Sequence, residues 1–294
     1  IVTKSLQITN IDKLQPESFT PGVPENSIYT QYFMITASTS DATATTLYGA
    51  SGMETNAYRY SIDGGSTYTA WLSSKSYQFT GLSPGTTYNV RVQARDKAGN
   101  IRTESTTATT LPAVAQISTT YYASVQDAFD AAKGTSSSYT EVILLVNGRD
   151  ESVTLANGKY VKFNLNNNSF GSSADTVIRN NGYLSVTNGT ISTLWGAIVN
   201  NNYCLIEDGI YSTNWGGTTI ENRGTCEIRA GTFSTAAGIA VDNYATLTIN
   251  GGTYTATNGD CIYGRTNSTT NINNATVTSN SWCGVAVIQN ATVN

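Results

Sequence analysis

The chain has 294 residues, a net charge of −4, charged side chains at only 12% of positions, and no histidine. No run of Lys or Arg offers the electrostatic footprint that a phosphate backbone requires, which argues against nucleic acid as a partner. The longest apolar run, residues 142–146, is far too short to cross a bilayer, so no membrane insertion is expected of this segment.

Without histidine the usual zinc sites and the Ser-His and Cys-His nucleophile pairs are missing, and neither a metal nor a cofactor is expected. What remains is a chain rich in Ser, Thr, Asn and Gly with 18 tyrosines, a composition that suits strands and turns. It predicts an all-β fold in an extracellular setting. The opening residues, Ile-Val-Thr-Lys-Ser-Leu-Gln-Ile-Thr-Asn-Ile-Asp, alternate apolar and polar side chains as a strand does. They lack the basic start and apolar centre of a signal peptide. Residues 1–13 resemble the closing strand and linker of a preceding bacterial Ig-like domain. Ile1, Val2, Leu6 and Ile8 would then either complete that sheet or be donated to a neighbouring subunit, as in strand-donating fibres.

Residues 14–112 read as a β-sandwich of short strands at 32–38, 57–62, 68–72, 76–80, 88–95 and 105–110, with Asp63-Gly64-Gly65 closing a tight turn. The stretch Gly81-Leu82-Ser83-Pro84-Gly85-Thr86-Thr87-Tyr88 puts a tyrosine at a strand start behind a Leu-x-Pro turn. There its hydroxyl can bond back to the turn as a tyrosine corner. On these residues the module resembles fibronectin type III domains of bacterial surface proteins and carbohydrate-active enzymes. The resemblance implies a spacer or presenting module with no chemistry of its own.

Pro112 is the last of five prolines, and a proline-free remainder suits central strands. A helix is predicted over about 124–133, with Ser124 as its cap, Val125, Ala128, Phe129 and Ala132 on one face, and Gly134 as its stop. It would cover the first coil of a solenoid, whose opening strands are 142–146, 153–155 and 161–165. Asn180, Asn201, Asn222 and Asn243 then recur every 21 residues, each two positions after Ile178, Val199, Ile220 or Val241. The triplets Gly189-Thr190-Ile191, Gly209-Ile210-Tyr211, Gly231-Thr232-Phe233 and Gly252-Thr253-Tyr254 follow Asn168-Ser169-Phe170 at intervals of 21, 20, 22 and 21. Such a period turns each repeated position into a ladder of like residues, one strand spacing per coil. Helix, apolar strand and coils together resemble the N-terminal part of pectin-lyase-like right-handed parallel β-helix proteins, found among bacterial adhesins and polysaccharide-degrading enzymes. The fold expected for 113–294 is that β-helix with one N-terminal capping helix. Because Asn290-Ala291-Thr292-Val293 repeats Asn274-Ala275-Thr276-Val277, the stack is expected to be incomplete at its C-terminal end. Fold alone is silent on activity.

The asparagines are read as a structural ladder that satisfies turn groups through side-chain amides. Arg179, Asn200, Glu221 and Asp242, one position earlier, should point outward. Glu221 and Asp242 would be neighbours, and paired carboxylates can run glycoside hydrolysis or, with Arg223 or Arg265 beside calcium, a lyase reaction; Asp260 joins this enzyme reading. Its competitor is a solvated strand face. Trp195 and Trp215 each precede a glycine six residues after the coil glycine, and Trp282 occupies a similar later turn. Their rings either fold over the coil edge or offer a platform for sugars. Cys204 and Cys226 fall in the buried file of neighbouring coils, where packed thiols are favoured over a disulfide.

These residues point to a non-enzymatic structural or adhesive segment of a secreted or cell-surface bacterial protein, or of an extracellular filament. Its expected partners are copies of itself, other surface modules and glycans. The alternatives are a polysaccharide lyase or glycoside hydrolase of the β-helix type, or a carbohydrate-binding module.

Overall fold

The computed structural model describes residues 11–173, 176–288 and 290–294. It divides after Pro112 into two compact units, each with its own apolar core. Ile1, Val2, Leu6 and Ile8 lie outside the described residues.

In the first unit, β1 (Tyr32–Thr36) pairs antiparallel with β3 (Ser76–Thr80), while β2 (Met53–Ser61), β4 (Thr87–Asp96) and β5 (Ile101–Thr109) form a second antiparallel sheet. Alternation does the sorting: Phe33 and Ile35 from β1, Tyr60 from β2, and Val90, Val92 and Ala94 from β4 are fully buried. Tyr88 closes its corner by accepting from the Ser83 main-chain N–H at 2.9 Å. Gly64 and Gly65 turn with positive φ. Segment 68–72, predicted as a strand, meets β2 only at scattered bonds from Thr69 and Leu72. The rings of Tyr68 and Trp71 instead receive the Arg59 guanidinium at 4.6 Å each.

The second unit opens with the hairpin β6 (Ala115–Ile117) and β7 (Thr120–Tyr122). The helix α1 (Val125–Ala131) follows, shorter than predicted. Ser124 caps it by accepting from the Asp127 N–H. The chain is already extended at Ala132, before the predicted stop at Gly134. Val125, Ala128 and Phe129 bury the predicted face, with Phe129 edge-on to Phe163 of the first coils.

From β8 (Thr140–Leu144) onward the chain winds as a parallel solenoid with three faces. The first face contains strands such as Tyr183–Thr187, Tyr203–Ile206 and Thr225–Ile228. The second carries Ser169–Ser172, Thr190–Thr193, Ile210–Thr213, Thr232–Thr235 and Thr253–Ala256. The third carries Ile178–Asn180, Gly196–Asn200, Thr218–Asn222, Ile239–Asn243 and Ile262–Gly264. The second and third faces each stack seven strands.

Like residues stack inside. Tyr211, Phe233 and Tyr254 lie nearly parallel, with centroids 5.0 and 4.9 Å apart. Beside these rings Gly209, Gly231 and Gly252 take φ of 116°, 128° and 108°, a region that L side chains rarely enter. Cys204 and Cys226 are buried, in register and free thiols. Its hydrogen bond to Cys204, with burial second, pushes the Cys226 thiol well above its ordinary value.

Candidate functional site

The asparagine ladder is real but runs through a different residue of one coil. Asn180, Asn200, Asn222 and Asn243 share one register and are fully buried. Asn201 does not belong to it; it is exposed and donates instead to Asn181 at 2.8 Å. The aliphatic file is likewise Ile178, Ile198, Ile220 and Val241, and the outward file is Arg179, Val199, Glu221 and Asp242. The coil containing Asn200 is one residue short and the next one residue long. The glycine triplets already carried this signal in their intervals of 20, 22 and 21.

The acidic pair forms on the third face, in register as Glu221 and Asp242. Asp242 is 3% exposed, and its two oxygens accept from Arg265 Nε and Nη2 at 2.7 and 2.8 Å. This fork raises the Arg265 guanidinium above its ordinary value. Glu221 pairs with Arg223. Both guanidinium groups lie against the Tyr244 ring, at 5.2 Å for Arg265 and 5.7 Å for Arg223, and Arg265 also covers Tyr263. Asp260 is not brought to this cluster. It precedes the strand Ile262–Gly264 while Arg265 follows it, and its carboxylate accepts the Cys283 N–H at 2.9 Å. The cluster is therefore an interlocked set of ion pairs and cation–π contacts.

A different arrangement forms where the second face turns into the third. Counted on from the second-face register of Thr193, Thr213, Thr235 and Ala256, the position two residues later holds Trp195, Trp215, Ala237 and then Asn258 in successive coils. The indoles sit 6.3 Å apart with their planes at 51°, and are 50% and 63% exposed. Trp282 stands three coils beyond Trp215, about 14 Å along the stack at one strand spacing per coil, and is 69% exposed.

Beside the indole pair, on the second face, lies an open groove of about 310 Å³ lined by Asp150, Gly171, Ser192, Leu194 and Asn214 among others. One of its lining residues has no side chain. Gly171 stands in an outward file whose neighbours are Asp150, Ser192, Ser212 and Ser234. A Cβ there would come within 2.4 Å of the Ser192 carbonyl oxygen. The charges at the groove are internally engaged. Asp150 accepts from the Ser173 hydroxyl and N–H at 2.7 and 3.0 Å, which holds its carboxyl below the usual value. Arg149 pairs with Glu151 at 3.0 Å. No motif announces this groove, because its members meet only through coil register.

In the sandwich, Asp12, Asp41 and Asp96 bring one carboxylate oxygen each within 4.8 Å of one another, an oxygen set that could hold a hard cation. The carboxylates also have local work: Asp12 accepts from Ser51 N, Asp41 from Gly52 N, and Asp96 from Asn100 N.

Residues 14–110 match the fibronectin type III domain model. Among solved structures, FN3tt is similar to the chain at 21% identity, covering 33% of this chain and 92% of its own, with a TM-score of 0.23. A pectate lyase from Pectobacterium carotovorum is similar at 15% identity, covering 91% and 79%, with a TM-score of 0.32. A pectate lyase from Erwinia chrysanthemi in complex with tetragalacturonic acid is similar at 12% identity, covering 92% and 79%, with a TM-score of 0.33. No curated protein sequence matches the chain. The chain thus joins a fibronectin type III domain, over residues 14–110, to a parallel β-helix of about seven coils.

Proposed function

We infer that this chain is a structural and adhesive segment of an extracellular bacterial surface protein, in which the sandwich acts as a spacer and the β-helix as a stiff rod. The observation that carries this reading is the state of the acidic pair. Asp242 is buried with both oxygens on Arg265, and Glu221 is held by Arg223. A glycoside hydrolase needs two carboxyl groups flanking the scissile bond with separate roles. Here the charges stiffen a sheet face. Repetition supports the same reading, since the coils share their inward files and their amide ladder.

Electron microscopy of the native protein as it leaves the cell, with reducing-end and unsaturated-product assays on acidic and neutral polysaccharides, tests this. Rods or regular filaments without product are expected. Product whose formation stops in Asp242→Asn or Arg265→Ala would overturn it in favour of the lyase or hydrolase. If neighbouring copies join through donated strands, deleting residues 1–12 abolishes head-to-tail polymers; polymers that survive the deletion exclude that route.

A further inference from the structure

The adhesive reading leaves unexplained why two tryptophans stand half or more exposed on one turn. The coils do not require them, because Ala237 and Asn258 occupy the same turn position in the next two coils. An indole is a large apolar surface, and leaving it in water forgoes the stabilisation its burial would bring. Two such rings on successive coils, 6.3 Å apart, make a continuous aromatic step.

The groove beside them belongs to the same surface. Leu194 and Asn214, each immediately before an indole, both line it. Ser169, Ser173 and Ser192 line it as well, and Gly171 among them carries no side chain. The groove's Arg149 and Asp150 are engaged with Glu151 and Ser173. Beyond the groove the second face continues as outward files of Thr232, Thr253 and Thr276 and of Ser212, Ser234 and Thr255, with no charged side chain among them. The surface is therefore aromatic on one side and lined on the other by hydroxyls and by the engaged Arg149 and Asp150, in a cleft at the small end of ligand sites, which run from about 300 to 1,000 Å³.

We propose that Trp195, Trp215 and the groove at Gly171 form a binding site for a neutral oligosaccharide. A pyranose ring has the matching chemistry. Its C–H face is flat and apolar and packs on an indole, while its equatorial hydroxyls both donate and accept and so suit serine and asparagine walls. It carries no charge that the engaged Arg149 and Asp150 would have to answer. A basic or acidic polymer would need an unengaged counter-charge that this wall does not offer among the described residues, and a second copy of the chain would have to match a recess rather than a flat face. The inference rests on the adhesive reading only in being binding without turnover.

The test uses the full chain against a panel of soluble neutral polysaccharides (xylan, glucomannan, galactan, mixed-linkage glucan) and polygalacturonate, by affinity electrophoresis and tryptophan fluorescence. At least one neutral polymer is expected to retard the protein and shift its emission. Trp195→Ala and Trp215→Ala should each weaken that binding roughly tenfold, with thermal unfolding unchanged, whereas Trp282→Ala should leave it within about twofold of the parent. Asn214→Ala, which removes a lining amide, should weaken binding while sparing the indoles. Failure of every neutral polymer to bind, retention of binding in the Trp195/Trp215 double variant, or a tryptophan-dependent change in sedimentation without glycan would each overturn the proposal while leaving the rod intact. Degradation of the bound polymer would instead overturn the non-enzymatic reading and leave the site standing.

Discussion

Asn222 shows what one side chain contributes to the stack. Its Nδ2 donates to Asn243 Oδ1 at 2.8 Å and to the Thr246 and Gly224 carbonyls, while its Oδ1 accepts from Asn200 and from the Gly224 N–H. Each buried group left unpaired costs about 1–3 kcal/mol, so Asn222→Ala is expected to destabilise the β-helix by roughly 3–5 kcal/mol, read by chemical denaturation. Glycan binding by the folded fraction should survive. The phenols of Tyr211 and Tyr254 add a pH dependence. Burial raises both above the ordinary tyrosine value, so their stabilising share is whole below about pH 10, the unfolded value, and is lost as pH rises toward the folded ones. Tyr254→Phe keeps the stacked ring and gives up only the hydroxyl bond to the Gly251 carbonyl. It should blunt alkaline unfolding relative to the parent in a melt series from pH 8 to 11.

At the scale of the coil, strands are interchangeable and turns are not. Gly238 lies so close under Gly217 that a Cβ would sit 2.0 Å from the Gly217 carbonyl oxygen. Because that neighbour is main chain, Gly238→Ala must spread two coils, at a cost of about 2 kcal/mol or more; a drop in melting temperature checks this, and an unchanged melt would refute the contact. Turns are also where the sequence reads least well. Period, alternation and turn motifs suffice for the helix, the parallel coil stack, the tyrosine corner and the acidic register of Glu221 and Asp242, though not for the three faces of the coil. They miss the shortened coil, because Asn200 and Asn201 are chemically identical and only the glycine spacing separates them. The groove is missed for another reason: Gly171 reads as one small residue among many until it is laid between Asp150 and Ser192. Asp12, Asp41 and Asp96 are scattered along the sandwich sequence, and no local pattern links them.

For the whole molecule, two cores with no buried residue in common imply two cooperative units. A lesion in one should move one transition only. Tyr60→Ala, which empties a fully buried site and removes a hydroxyl bond to the Ser74 carbonyl, is expected to lower the sandwich transition by about 3–5 kcal/mol. The β-helix transition should stay in place when both are followed by calorimetry. The β-helix has a further property that its near-identical coils conceal. Along the amide file Asn180 donates to Asn200, Asn200 to Asn222, Asn222 to Asn243, and Asn243 to the Thr270 hydroxyl. Every donor faces the same way, so the file is a vector whose aligned dipoles reinforce one another. A coil grafted into the middle keeps the arrow whatever its sequence elsewhere, provided it brings one amide at that position. A segment joined in the opposite sense would set donor against donor, so the β-helix can be lengthened like an arrow but never folded back on itself like a palindrome.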